Sequence, residues 1–214
     1  ISTGLPHETP RDTELWDVWP LENGNALILR VLNYYTELDH YCALTLCDAR
    51  WKEIKELDCL KVPGLRSDKV KRIKGFFPRL AWSVSKKRIY IGNNENGYEI
   101  HIYDLDGRLI RIIKKEYQPV RVPGSYKEYI RKMARGRPGA EKIYFPDDFP
   151  AFQYLFSDDA GRLFVMTYET CQDGRMYVYD IFNPDGIFIS RTCLNNYGFP
   201  NYWMEGDDAP LEIK

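Results

Sequence analysis

The chain has 214 residues, 44% hydrophobic and 29% charged, which gives it material for one or two domains with a real core and excludes an intrinsically disordered chain. No apolar run reaches the length of a membrane-spanning helix, and no signal peptide is visible in a sequence that starts at Ile1. The net charge of −1 hides an uneven distribution: residues 1–60 carry 5 basic and 11 acidic side chains, 61–146 carry 21 and 8, and 147–214 carry 4 and 12. A basic middle between acidic flanks suits an anionic partner. The plainer reading is that these charges are solvated strands and loops attracted to the acidic parts of the same molecule.

In chain order, the first predicted elements are loose. "WDVWPLENG", "ALILRVLNYY", "YCALTLCD" and "WKEIKELD" read as four strands over about 16–58. The next unit, about 77–114, is clearer: "FPRLAWSVS", "KRIYIGN", "YEIHIYD", the turn "LDG" and "RLIRIIKK". A third unit, about 149–194, has the same order: "FPAFQYLF", "SDDAG", "RLFVMTYE", "TCQDG", "RMYVYDI", "FNPDG", "IFISRTCL". The pairs Phe77-Pro78, Phe149-Pro150 and Phe199-Pro200 open successive units, and 199–214 reads as the start of another. The third strand of each complete unit is expected to end in an aspartate, at Asp48, Asp104 and Asp180.

Four strands per unit, at a period of roughly 40–50 residues, indicate an all-β protein: a β-propeller of four-stranded antiparallel blades. About three blades and part of another are present, in a single domain. One such sheet cannot cover both of its faces, so blades stack and bury each other. Trp82, Tyr90, Phe152 and Phe164 are the expected fillers, and Asp-Gly turns supply the positive φ that tight hairpins need. A β-sandwich is the competing fold.

The period is broken between the second and third units by an insert over about 118–145. Within it, "SYKEYIRKMAR" reads as one short helix, with Ser125 as N-cap and Glu128 at capping-box spacing. Tyr126, Tyr129, Ile130 and Met133 form an apolar face, with Tyr129 and Met133 expected to pack. Lys127, Arg131, Lys132 and Arg135 are the candidate partner-binding residues on the opposite face.

Motifs for chemistry are sparse. "ARGRPGAEK" lacks the spacing of a phosphate-binding loop, and "DLDG" and "DDAG" stop short of a calcium loop. His7, His40 and His101 are isolated. Asn93, Asn94, Glu95 and Asn96 form the densest polar cluster, which also makes a good strand-connecting turn. The cysteines 42, 47, 59, 171 and 193 include no CxxC pair. Cys42 and Cys59 lie on neighbouring predicted strands and are candidates to pair, against the plainer reading of buried free thiols.

The succession "KIYFPDDFPAFQYLFSDDAGRLFVMTYE", followed by "YVYDIFNPDGIFISR", resembles the bacterial six-bladed propellers related to NHL-repeat and TolB-like proteins. The likeness covers residues 77–214 and includes the short charged helix ahead of "FPAF". It implies a longer, ring-closed relative, an extracytoplasmic location and a chain truncated with respect to the family, whose open blade edges would favour self-association. The expected function is a non-catalytic scaffold that presents loops to a protein or other anionic partner, with no membrane span and no catalytic residues. One alternative is a metal-dependent hydrolase, lactonase or lyase with calcium in the channel. A second is a polyanion or nucleic-acid binder, although the basic-aromatic interleaving of RNA-binding modules is missing.

Overall fold

The computed structural model describes residues 13–32, 40–62, 72–76, 79–137, 139–171 and 176–195. Thr13–Pro20 (β1), Ala26–Leu32 (β2), His40–Cys47 (β3) and Glu53–Val62 (β4) form one antiparallel sheet in sequence order. The two-residue strand Ile73–Lys74 (β5) precedes Leu80–Val84 (β6), Ile89–Asn93 (β7), Glu99–Tyr103 (β8) and Leu109–Lys114 (β9), which form the second sheet. Helix α1 spans Gly124–Ala134, and Ile143–Tyr144 (β10) pairs in parallel with β5. Tyr154–Ser157 (β11), Leu163–Cys171 (β12), Met176–Phe182 (β13) and Phe188–Asn195 (β14) make the third sheet.

The fold class expected from the repeat is the one observed: consecutive four-stranded blades of a partial propeller, with one inserted α-helix among the described residues. Strand alternation explains the stacking. On β7, Ile89 and Ile91 face the first blade and join Leu27, Leu44, Leu46 and Leu60 in one core. Tyr90 points the other way, where Ile100, Ile102, Phe152, Leu155 and Val165 form the second core. Strand β7 is therefore buried along its whole length because both of its faces are covered. Phe164 stacks on Phe156, 4.7 Å away within the third blade, on the face opposite Leu163 and Val165; the blade expected beyond that face, 199–214, lies outside the described residues.

The repeated turn has a common chemistry. The Oδ1 of Asp48 accepts from the amides of Arg50 and Lys52, that of Asp104 from Asp106 and Arg108, and that of Asn183 from Asp185 and Ile187. Each turn then passes through positive φ, at Trp51 (66°), Gly107 (79°) and Gly186 (76°). The expected equivalence of Asp180 to Asp48 and Asp104 is thus corrected. Asn183 takes that place, because the third hairpin starts three residues later than a Tyr-Asp alignment implies. Asp48 and Asp104 follow their strands, whereas Asp180 lies within β13.

These tight hairpins occupy one end of the blades. At that end Asn23 Nδ2 donates to the Leu105 carbonyl and to Asp106 of the next blade. The long connections and α1 lie at the other end. Phe149-Pro150 is not strand: Phe149, Ala151 and Phe152 are buried ahead of β11, which begins only at Tyr154. Phe77-Pro78, Phe199-Pro200 and the further blade at 199–214 lie outside the described residues.

The cysteine pairing also differs from the candidate pair. Cys171 and Cys193 form a disulfide, while Cys42, Cys47 and Cys59 are free. Cys42 lies directly opposite Leu60 and Cys59 directly opposite Ala43, so the period of two sends the two thiols to opposite faces of the sheet.

Candidate functional site

The insert is anchored where its chain returns to the blades. Val122 donates its amide to Asp147 and Phe149 donates to Val120, with an isolated bridge between Arg121 and Asp148. Helix α1 then starts earlier than expected. Pro123, with φ −70° and ψ 154°, is the N-cap and has no side-chain capping bond; its carbonyl accepts from Lys127. Ser125 therefore sits inside the first turn and does not cap. Proline's fixed φ favours this start and removes an amide that would have no partner. Gly136, at φ 80°, ends the helix.

Tyr126 holds the helix down. Its ring meets Phe149 edge-on at 5.1 Å and Phe145 at 6.4 Å, and burial pushes its phenol pKa up. Met133 does not pack as expected: it is 53% exposed. Tyr129 and Ile130 in the next turn are half-buried, so cover fails only toward the C-terminal end and the apolar stripe is longer than the surface available to it. Lys127, expected to be exposed, is half-buried.

Arg131, Lys132 and Arg135 are exposed and come together around a shallow cleft of about 1300 Å³ between α1 and the 3-10 turn at Ala140–Lys142. Arg137, Glu128 and Glu141 complete its charged lining, and Lys127 stays outside it. Arg131 lies over the Phe145 ring at 5.2 Å. Arg137 was missed in the sequence because it follows the helix. The chain folds it back through Arg137 N to Ala134 O and Ala140 N to Arg137 O, a turn legible only as "RGRPG". Several cations elsewhere pair with carboxylates: Lys74 with Glu95, Lys114 with Glu99, Lys115 with Asp180, and Arg191 with Glu169. No ion pair found among the described residues includes Arg131, Lys132, Arg135 or Arg137.

The other concentration of charge joins the second and third blades. Asp180 is fully buried and receives three donors: Tyr98 Oη at 2.8 Å, Lys115 Nζ at 2.7 Å and Arg191 Nε at 2.8 Å. Arg191 also donates to Glu169. Burial and then the Asp180 charge push the Tyr98 phenol far above its ordinary pKa. Both carboxylate oxygens are engaged, so this cluster clamps the blades together. The sequence concealed it by presenting Asp180 as a turn residue.

The Asn93–Asn96 cluster serves its own turn. Asn93 Oδ1 accepts from Glu95, and Asn94 Oδ1 accepts from the Arg79 amide. Among the described residues, no group of three or more His, Cys, Asp or Glu side chains is placed to hold a metal ion. His40 opens β3, His101 lies within β8, and His7 is outside the described residues. Among the described residues no helix is long and apolar enough to cross a membrane.

No protein-family model and no curated protein matches the chain. Among solved structures it is similar to a luciferin-regenerating enzyme, with 10% identity and a TM-score of 0.37 over 86% of this chain and 47% of that one. It is also similar to regucalcin, a calcium-binding protein from Agrobacterium tumefaciens, with 12% identity and a TM-score of 0.35 over 84% and 45%. A quinonprotein alcohol dehydrogenase-like protein from Bacteroides thetaiotaomicron has 12% identity and a TM-score of 0.24 over 85% and 55%. The chain spans about half the length of each. Likeness at this level carries no argument about what the chain does.

Proposed function

We propose that this chain is a non-catalytic propeller that holds its insert out to an anionic partner surface and needs no cofactor to do so. The supporting observation is the convergence of Arg131, Lys132, Arg135 and Arg137 on one exposed cleft, with no ion pair to any of the four found among the described residues, whereas Lys115 and Arg191 at the blade seam are paired. Rigid blades hold the connecting segments, and binding residues concentrate on such segments. The repeat supports a six-bladed ring of the NHL-repeat or TolB-like kind, to which these blades contribute an arc. The Cys171–Cys193 disulfide supports an extracytoplasmic location, since such bonds persist in oxidising compartments.

The test replaces Arg131, Lys132, Arg135 and Arg137 with Glu and compares binding to heparin, a poly-glutamate peptide and a single-stranded oligonucleotide. The unaltered chain is expected to bind at least one probe with an affinity that falls steeply with salt. The variant is expected to lose that binding while its melting temperature stays within about 2 °C. Equal binding by the two proteins would sink the proposal. Preference for the oligonucleotide over both other probes would move the reading to nucleic acid.

A further inference from the structure

A chain of polar contacts crosses the seam between the first two blades and takes no part in the proposed binding. Glu99, His101 and Tyr103 alternate along β8 and share one face. Lys114 on β9 pairs with Glu99 at 2.9 Å. His101 Nε2 lies 2.7 Å from Glu99 Oε1, and its Nδ1 lies 3.2 Å from Tyr103 Oη. Tyr103 Oη then donates to the Leu57 carbonyl of the first blade at 3.2 Å. That carbonyl is available because the register of β4 against β3 jumps at this point. Leu44 pairs with Asp58 and Thr45 with Glu56, so Leu57 bulges out of the ladder.

The hydrogens can be counted. Both ends of the chain, the Glu99 carboxylate and the Leu57 carbonyl, only accept. Three contacts lie between them, so three hydrogens are needed. A neutral imidazole and a phenol bring two hydrogens, whereas an imidazolium and a phenol bring three. With the ring neutral and its hydrogen on Nε2, Nδ1 and the Leu57 carbonyl compete for the single phenol hydrogen. Tyr103 then bonds either within its own blade or across the seam.

We infer that His101 is a proton-operated clasp: its protonated ring turns the Tyr103 hydroxyl onto the Leu57 carbonyl and ties the two blades, and loss of that proton releases the tie. The charged groups around it fit this role. Glu99 takes one ring N–H, with Lys114 bound to its other oxygen. From β4, Lys55 lies 5.6 Å from the Tyr103 ring centroid, and burial, then the Asp58 charge, push the Tyr103 phenol pKa up. The facing residue on β7 is Ile91, which is uncharged.

Two measurements test the clasp. In the folded chain with labelled histidine and tyrosine, the His101 ring nitrogens and the Tyr103 Cζ are followed by NMR from about pH 5.5 to 8. The Tyr103 signal is expected to change in step with the ring nitrogens, from a phenol that donates to a carbonyl while both nitrogens carry hydrogen to one shared between two acceptors once a proton is lost. A Tyr103 signal indifferent to the His101 titration overturns the inference. Amide exchange at the seam is the second readout. After correction for the intrinsic pH dependence, protection at Leu57 and Asp58 is expected to drop about five-fold across that range in the natural chain, and less than about two-fold in Tyr103→Phe. Equal drops in the two proteins also overturn it. The NMR measurement uses only the natural chain, so it stands whether or not the variant folds.

Discussion

Two residues carry more than their surroundings suggest. Asp180 is a fully buried carboxylate answered by Lys115, Arg191 and Tyr98, with donors from two blades. Asp180→Asn keeps its shape but leaves Lys115 without its carboxylate and Arg191 with Glu169 alone, and removing one partner from a buried ionic group costs about 3–5 kcal/mol. Urea unfolding at pH 7 should show the unfolding free energy drop by that amount; a change below about 1 kcal/mol would mean that the cluster is hydrated and weak. Glu99 offers a pH test. Hydrogen bonds from His101, and then from Lys114, hold its carboxyl below the usual glutamate range. Its contribution to stability is therefore fully present above the unfolded-state value, and it is lost as pH falls through the depressed one. Glu99→Gln should remove this acid-side loss, which acid-limb unfolding midpoints will reveal.

At the scale of an element, α1 shows how tertiary contact overrides an amphipathic stripe. Helical spacing marks Tyr126, Tyr129, Ile130 and Met133 as one face, but the face is covered unevenly: Tyr126 rests on the Phe145 and Phe149 rings, Tyr129 and Ile130 are half-buried, and Met133 is exposed. Tyr126→Ala should therefore release the helix at a cost of about 1–3 kcal/mol, whereas Met133→Lys should change stability by less than about 0.5 kcal/mol. Far-ultraviolet circular dichroism and thermal melts of the two variants will separate these outcomes. The same geometry sets the limits of a deletion. Residues 120–122 are tied to 147–149 by backbone hydrogen bonds, so they belong to the fold. Removing 125–139 with a short Gly-Ser bridge should leave unfolding cooperative, and loss of a single sharp transition would place α1 in the core.

At the scale of the whole molecule, the blades are held by apolar seams and a few polar locks, and the third blade has a covalent one. The disulfide joins β12 to β14 around β13, closing a loop of 22 residues. In the chain-entropy account, a loop of that size contributes about 3 kcal/mol, so reduction should lower the unfolding free energy by up to that amount. Thermal melts with and without reductant measure it, and an unchanged melt would show that the bond constrains little. The sequence by itself determined the blade architecture. A period-two pattern with turns at fixed intervals has few ways to bury itself, and an alternating strand declares its faces through hydrophobicity alone. It also located the basic insert, because local charge density and helical spacing survive in one dimension. Only the tertiary structure decided which cations meet. Arg137 is brought to Arg131 and Lys132 by a turn, and Lys127 is drawn into the half-buried side. It likewise decided that Cys171 and Cys193 pair, that Asp180 is a seam clamp and that Leu57 offers its carbonyl to Tyr103. Each of these depends on register, and a shift of one residue along a strand exchanges the two faces of the sheet without altering the pattern of the sequence.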